Sequence, residues 1–194
     1  NKGEFIIITG ESGSGKTTLL NLLLGLTKPE SGTVLFDGED ISTFDDKRLS
    51  EIRNEKIKYI PQGDSLLTSL TVRENILFPY VIGGKEEPPK ERLIELAEKL
   101  GITDLLDVYP SELSGGEMRR VTIARAVINK PAVIIADEPT GNLDRDNTSK
   151  VMEIFKDISG EGTAVVVVTH QRETLDYASK VLNMSHGRLA PENR

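Results

Sequence analysis

Three clusters of residues in this sequence have the types and spacing to handle phosphate. The first is Gly10-Glu11-Ser12-Gly13-Ser14-Gly15-Lys16-Thr17, which follows a short β-branched run over 5–9 and precedes a helical pattern. Glycine, four residues, then Gly-Lys-Thr between strand and helix is the pattern of a phosphate-binding loop. Its glycines let successive backbone N–H groups turn inward around phosphate oxygens. The helix start adds about half a positive charge. Lys16 suits the β- and γ-phosphates, and the Thr17 hydroxyl suits Mg²⁺. Thr18 belongs to the same phosphate-contacting set. A merely flexible glycine turn would explain neither the Lys-Thr pair nor the strand and helix around it.

The second cluster ends the apolar run over 133–136 with Asp137 and Glu138. Asp137 is placed to hold Mg²⁺ directly or through water. Glu138 points elsewhere and is placed to polarise an attacking water, a contribution of ~10²–10⁴ in rate. Alone, such a pair reads as two solvated acids at a strand end; the glycine loop makes the metal-and-base reading the stronger one. The third cluster, Leu113-Ser114-Gly115-Gly116-Glu117, opens another helix. Ser114 suits an N-cap, and glycines at a helix start leave backbone donors open to an anion. Capping alone does not call for two glycines, each of which weakens a helix by about 1 kcal/mol. Spacing leaves open whether the two phosphate-ready helix starts share one nucleotide or bind two. The guanine-reading pattern Asn-Lys-x-Asp is missing, since Asn129-Lys130-Pro131-Ala132 lacks the aspartate.

These clusters need elements to hold them. The pattern predicts a helix over 16–26, apolar over most of its surface and therefore central. A hairpin over 33–41 turns at Asp37-Gly38, a polar helix covers 46–54, and a strand covers 56–60. Thr71 and Glu74 form a capping box for a helix over 71–82. A loop over 83–89 leads to Pro89, which opens a helix that stops at Gly101. Ser114 and Glu117 form a second capping box for a helix over 114–128. A strand over 132–136, an amphipathic helix over 145–158 closed by Gly160, and a strand over 163–169 follow. Segments 181–184 and 188–189 are spaced to pair across a turn. Strands apolar on both faces imply a mostly parallel sheet flanked by helices. The fold class expected is α/β, a P-loop NTPase, with an inserted helical subdomain and a truncated antiparallel β region. It is read as one domain over 1–194: an ATP-binding core at 1–62 and 130–194, and a helical subdomain at 63–129.

Composition sets the outer bounds. The 194 residues are 37% hydrophobic and 28% charged, as in soluble globular proteins. A net charge of -7 argues against a general nucleic-acid binder. Cysteine is absent, so there is no disulfide framework and no thiolate metal site. The longest apolar runs fall far short of the ~20 residues that span a bilayer, so any membrane role comes through a partner. The chain opens at Asn1 and enters a strand almost at once, which looks like a piece of a longer sequence.

With six elements in order, the chain resembles an ABC-type nucleotide-binding domain along nearly its whole length. Residues 10–17 match Walker A, 113–117 the signature, and 133–137 Walker B, with Glu138 at the catalytic-glutamate position. Gln62 matches the Q-loop glutamine, 141–144 the D-loop, and His170 the switch histidine. The resemblance implies that two copies, a homodimer or pseudo-dimer, pair head to tail. Each ATP then lies between Walker A of one copy and Ser114, Gly115 and Gly116 of the other. It implies Mg²⁺ bound by Thr17, Gln62 and Asp137. Gln62 senses the γ-phosphate and links it to a transmembrane permease, and His170 contacts the γ-phosphate. It also implies a cytoplasmic location on the inner face of the cell membrane.

Within the family, Glu-Pro-Thr-Gly-Asn-Leu-Asp over 138–144, residues 66–76 and the extension at 81–84 resemble the lipoprotein-release and macrolide-export branch. The family's adenine-stacking aromatic and first antiparallel strands precede Walker A and fall outside these residues. Pro61, Asp64, Met118 and Arg119 depart from the usual pattern. Chromosome-associated relatives carry a long coiled coil, and ribosome-acting relatives carry tandem domains; neither feature is in this sequence. A module that binds without turnover is disfavoured by the presence of Glu138, Gln62 and His170.

Overall fold

A computed structural model of the chain describes residues 1–63, 65–84 and 90–192. Asp64 and the helix opening expected at Pro89 lie outside the described residues. In chain order the elements are β1 (Phe5–Thr9), α1 (Lys16–Leu23), β2 (Leu35–Phe36), β3 (Glu39–Asp40), α2 (Asp46–Glu55), β4 (Ile57–Ile60) and α3 (Val72–Ile82). They continue with α4 (Lys90–Leu100), α5 (Gly115–Val127), β5 (Val133–Asp137), α6 (Arg145–Gly160), β6 (Ala164–Val168), β7 (Lys180–Ser185) and β8 (Arg188–Pro191).

Six strands form one sheet in the order β4-β5-β6-β1-β7-β8. All neighbours are parallel except β7 and β8, which form an antiparallel edge. The small hairpin β2–β3 stands apart as a second sheet. Its turn sets Asp37 at φ 50° and Gly38 at φ 83°, the two left-handed residues that a two-residue hairpin turn requires. Alternation along the strands divides the core. Phe5, Ile7, Ile134, Ala136, Val165 and Val167 face α3 to α6, and Ile8, Ile135 and Val168 face α1. Phe5 meets Phe155 of α6 with ring centroids 6.4 Å apart. One cluster runs from β1 and α6 through α5 to α3 and α4, so the helical segment shares its core with the sheet.

The central helix is α5 and not α1, contrary to expectation. α1 buries only Leu20 fully, because it lies as an outer layer on one face of the sheet. It also ends at Leu23: Gly25, at φ 63°, turns the chain away and leaves Leu26 56% exposed. α5 is buried over most of its circumference, including Arg119 and Thr122. α6 runs through Gly160, where a stop was expected. A glycine with helical φ continues a helix; the left-handed residue ends it, and here that residue is Gly162 at φ 101°.

Both expected capping boxes form, at Thr71 with Glu74 and at Ser114 with Glu117. A further anchor was not legible in the sequence. Asn75 is fully buried, and its Oδ1 accepts the Leu67 N–H at 2.8 Å. Its Nδ2 donates to the carbonyls of Leu67, Leu70 and Thr71, each at 3.0 Å. One side chain thus satisfies the backbone of the loop leading into α3. Asn75→Ala is expected to cost about 2–4 kcal/mol, since several buried polar groups lose their partner together. Urea unfolding of the variant beside the parent protein measures that loss.

Candidate active site

The parallel register sets the ends of β1, β5 and β6 side by side, pairing Ile8 with Val168 and Asp137 with Val168. The residues that follow these strands therefore share one edge of the sheet. There an open cleft of about 540 Å³ is lined by Gly10, Glu11, Ser12, Gly13, Gly15, Lys16, Thr17, Thr18, Gln62, Asp137, Glu138 and His170. Every residue expected around the first phosphate site is in this lining except Ser14. Ser14 packs beneath the loop, with its hydroxyl buried and unpartnered.

The loop over 10–15 wraps the start of α1. Lys16 Nζ donates to the carbonyls of Gly10 and Glu11, both at 2.7 Å. The cation thus bridges the mouth of the loop. Gly10 cannot be another residue here. It has φ 150°, and a Cβ would lie 2.4 Å from the Met184 carbonyl oxygen and 2.8 Å from Ser14 Oγ. The β7–β8 turn buttresses the loop from behind, with the Gly187 N–H donating to the Ser14 carbonyl at 2.9 Å.

Alternation with Val133 and Ile135 puts Asp137 on the α1 face, toward Lys16. Burial pushes its carboxyl above the usual range and Glu138 adds to this, while Lys16 and the Tyr59 hydroxyl partly offset it. Tyr59, which belongs to no motif, reaches Asp137 from β4. Its hydroxyl is pushed up first by burial and then by the Asp137 charge. Thr17, Gln62 and Asp137 offer only hard oxygen donors to the cleft. Among the described residues no group of three His, Asp or Glu side chains is arranged to hold a metal. A cation here would need most of its ligands from phosphate and water, which is how Mg²⁺ is usually held.

Glu138 has φ 45°, a left-handed conformation that costs a non-glycine residue about 1–3 kcal/mol and persists only where its surroundings impose it. Its N–H donates to the Val168 carbonyl at 2.8 Å, and its carbonyl accepts the Gly141 N–H at 3.1 Å. Its carboxylate is 2.8 Å from His170 Nδ1 through Oε1 and accepts from Thr169 Oγ1 at 3.0 Å through Oε2. Thr140 Oγ1 donates to the Gln171 side chain, locking the two strand ends together. Thr169, Thr140 and Gln171 gave no signal in the sequence, because their roles exist only between strands.

Ser114, Gly115 and Gly116 do not line this cleft. Ser114 caps α5, and both it and Gly115 are exposed. Gly116 is buried and has a packing reason of its own. A Cβ there would lie 2.6 Å from Asn147 Oδ1, and the Asn147 side chain is held by Asp144 at 2.8 Å. The second glycine thus lets α5 approach the first turn of α6.

The fold and the cleft are those of a P-loop NTPase, and comparison narrows the class. A family model described as ABC transporter matches residues 1–141. The lipoprotein-releasing system ATP-binding protein LolD of Aquifex aeolicus is 45% identical over 192 residues, covering 98% of this chain and 86% of that protein. The ABC transporter ATP-binding protein YknY of Bacillus subtilis is 41% identical over 194 residues, covering 98% of this chain and 84% of that protein. The macrolide export ATP-binding/permease protein MacB of Nitrosomonas europaea is also 41% identical, but the match covers only 29% of its length. Among solved structures, the dimeric bacterial ABC transporter cassette MJ0796 superposes with a TM-score of 0.88 at 35% identity, covering all of this chain and 86% of that one. Its post-hydrolysis state bound to ADP and Pi superposes with a TM-score of 0.87 at 33% identity, covering all of this chain and 88% of that one.

The chain belongs to the ABC transporter family. Within it, the chain is the ATP-binding cassette, an ATPase, as the ordered motifs implied.

Gly10→Ala is expected to cost more than the ~1 kcal/mol of an ordinary loop substitution, because the obstructing Met184 oxygen is backbone. Urea unfolding and a fluorescent-ATP titration would both register it. Asp137 gives a second expectation. Its carboxyl is raised in the folded chain, so the fold penalises the ionised form above that raised value and exerts no penalty below the ordinary 3.8. Asp137→Asn should therefore raise the melting temperature of the ligand-free protein at neutral pH, and the gain should vanish as the pH falls toward 4.

Proposed function

We propose that two copies of this chain clamp two MgATP molecules head to tail and hydrolyse them to drive a permease. One observation carries this reading. Lys16, Thr17, Gln62, Asp137, Glu138 and His170 converge on a single cleft, while the exposed helix start at Ser114 and Gly115 faces no part of it. A second copy brings such a helix start over the open side of the cleft, where its backbone N–H groups meet the γ-phosphate.

In this reading the N–H groups of the loop over 10–17 grip the phosphates. Lys16 exchanges its two carbonyl partners for β- and γ-phosphate oxygens, and Thr18 supports the same cradle. Thr17, Gln62 and Asp137 would hold Mg²⁺, which when bound neutralises charge shared between the β- and γ-phosphate oxygens. Glu138 takes the proton of the attacking water. His170 fixes the Glu138 carboxylate through Nδ1, and its side chain, 73% exposed, remains open to the nucleotide. Thr169 holds the second carboxylate oxygen, so the base is already oriented before nucleotide arrives.

The membrane partner is inferred from a second surface. No described helix is long and apolar enough to cross a membrane. A groove of about 500 Å³ lies beside the Gln62 loop, lined by Leu24, Leu26, Tyr59, Phe78 and Ile82 among others. Ile82 in its lining is 61% exposed and the adjacent Val81 is 70% exposed, an apolar patch of the kind that marks an interaction site. A relative named as an ATP-binding/permease protein joins the two functions in one chain. The segment 63–129 then acts as the helical part that carries the signature and, through Phe78 and Ile82, one side of the docking groove, on the inner face of the membrane.

Glu138→Gln keeps the shape of the side chain and removes the base. The variant should hydrolyse ATP at least ~10²-fold more slowly and accumulate as an ATP-bound dimer in sedimentation velocity. A variant that stays monomeric in saturating MgATP and turns over at the parental rate would overturn the proposal.

A further inference from the structure

Two arginines of α5 grip the loop that carries Gln62. Arg119, only 6% exposed, donates from Nη1 to the Pro61 carbonyl at 3.2 Å. Arg125 donates from Nη1 to the Ser65 carbonyl at 2.8 Å and from Nη2 to Ser65 Oγ at 2.7 Å. The attachment points fall one residue before Gln62 and three after it. Six residues of α-helix rise about 9 Å, so the loop is held at two well-separated points along one rod. One attachment would let the loop pivot; two fix its direction. The Arg125 fork is committed to neutral acceptors in a desolvated setting, and no carboxylate among the described residues forms an ion pair with it. Burial accordingly lowers its pKa. The first turn of this same helix presents Ser114 and Gly115. Arg125 also lines the apolar groove, beside Phe78, Pro79 and Thr122.

We infer that Arg119 and Arg125 are positioning residues that lock the Gln62 loop to α5, so that engaging Gln62 at the nucleotide and moving the signature helix start are one motion. Whatever fills the groove bears on the same joint through Arg125. This rests on the proposed roles of Gln62 and of the signature but adds the part that connects them. The departure at Arg119 is then explained, because its guanidinium reaches across to a carbonyl 58 residues earlier in the chain.

The absence of cysteine permits a direct test. Spin labels on Ser111→Cys and Glu173→Cys, both at exposed positions, report the distance from the signature region to the core. MgATP should shift that distance in the otherwise unchanged protein at concentrations where it is monomeric. In Arg119→Met/Arg125→Met the shift should disappear or broaden, while fluorescent-ATP affinity stays within about twofold, since the phosphate loop is untouched. Should the double variant fail to fold, Ser65→Ala removes only the Nη2 acceptor and should reduce the shift in part. A full shift in the double variant, or no shift in the unsubstituted protein, overturns the inference. Dimer formation by Glu138→Gln is read separately by sedimentation, so failure of the pairing model is not mistaken for failure of the clamp.

Discussion

Everything at the cleft depends on the parallel pairing of β1, β5 and β6. In-register hydrogen bonding makes three strands end at one level, so the segments that follow them emerge together. The phosphate loop, the acidic pair and the histidine come from sequence positions up to 160 residues apart. Only the ladder brings them within reach of one small anion. Parallel strands cannot be joined by short turns, and the helices that make the crossovers are the same ones that cover the sheet. The apolar runs that make the strands two-faced therefore also fix where the chemistry sits.

At that edge the chain accepts local cost for local order. Glu138 is held at a left-handed φ by bonds from its own backbone and by two side-chain partners on the neighbouring strand end. Asp137 is kept in a place that disfavours its charge. Gly10 is squeezed between Ser14 and the Met184 carbonyl. Such conformations persist because a rigid sheet lies beneath them. They leave a site whose charged groups are already oriented, with Asp137 held where its charge is disfavoured. In the proposed reaction, phosphate and metal would add partners there, and binding would relieve part of what folding left unfavourable.

α5 has a different standing from the other helices. It is buried nearly all round, starts with the signature, touches the first turn of α6 through Gly116, and holds the Gln62 loop through two arginines. Displacing it changes the signature, the 144–147 turn and the nucleotide cleft together. A helix on the outside of the sheet, as α1 is, has no comparable reach.

The sequence by itself determined the local elements. The glycine loop, the two capping boxes, the Asp37-Gly38 hairpin and the apolar strands follow from φ preferences, side-chain caps and periodicity, all of which act over a few residues. It also carried the motif order from which the family was legible. Its errors were of the kind expected from local reasoning: Gly160 looked like a stop, and α1 looked central because apolar composition does not say which neighbours cover it. The tertiary structure alone decided that His170 meets the Glu138 carboxylate, that Tyr59 faces Asp137, and that Gly116 makes room for Asn147. It alone decided that Arg119 and Arg125 hold a loop about 60 residues away. The physical reason is that hydrogen-bond geometry and close packing are satisfied between elements. No spacing along one chain encodes which distant carbonyl an arginine will find.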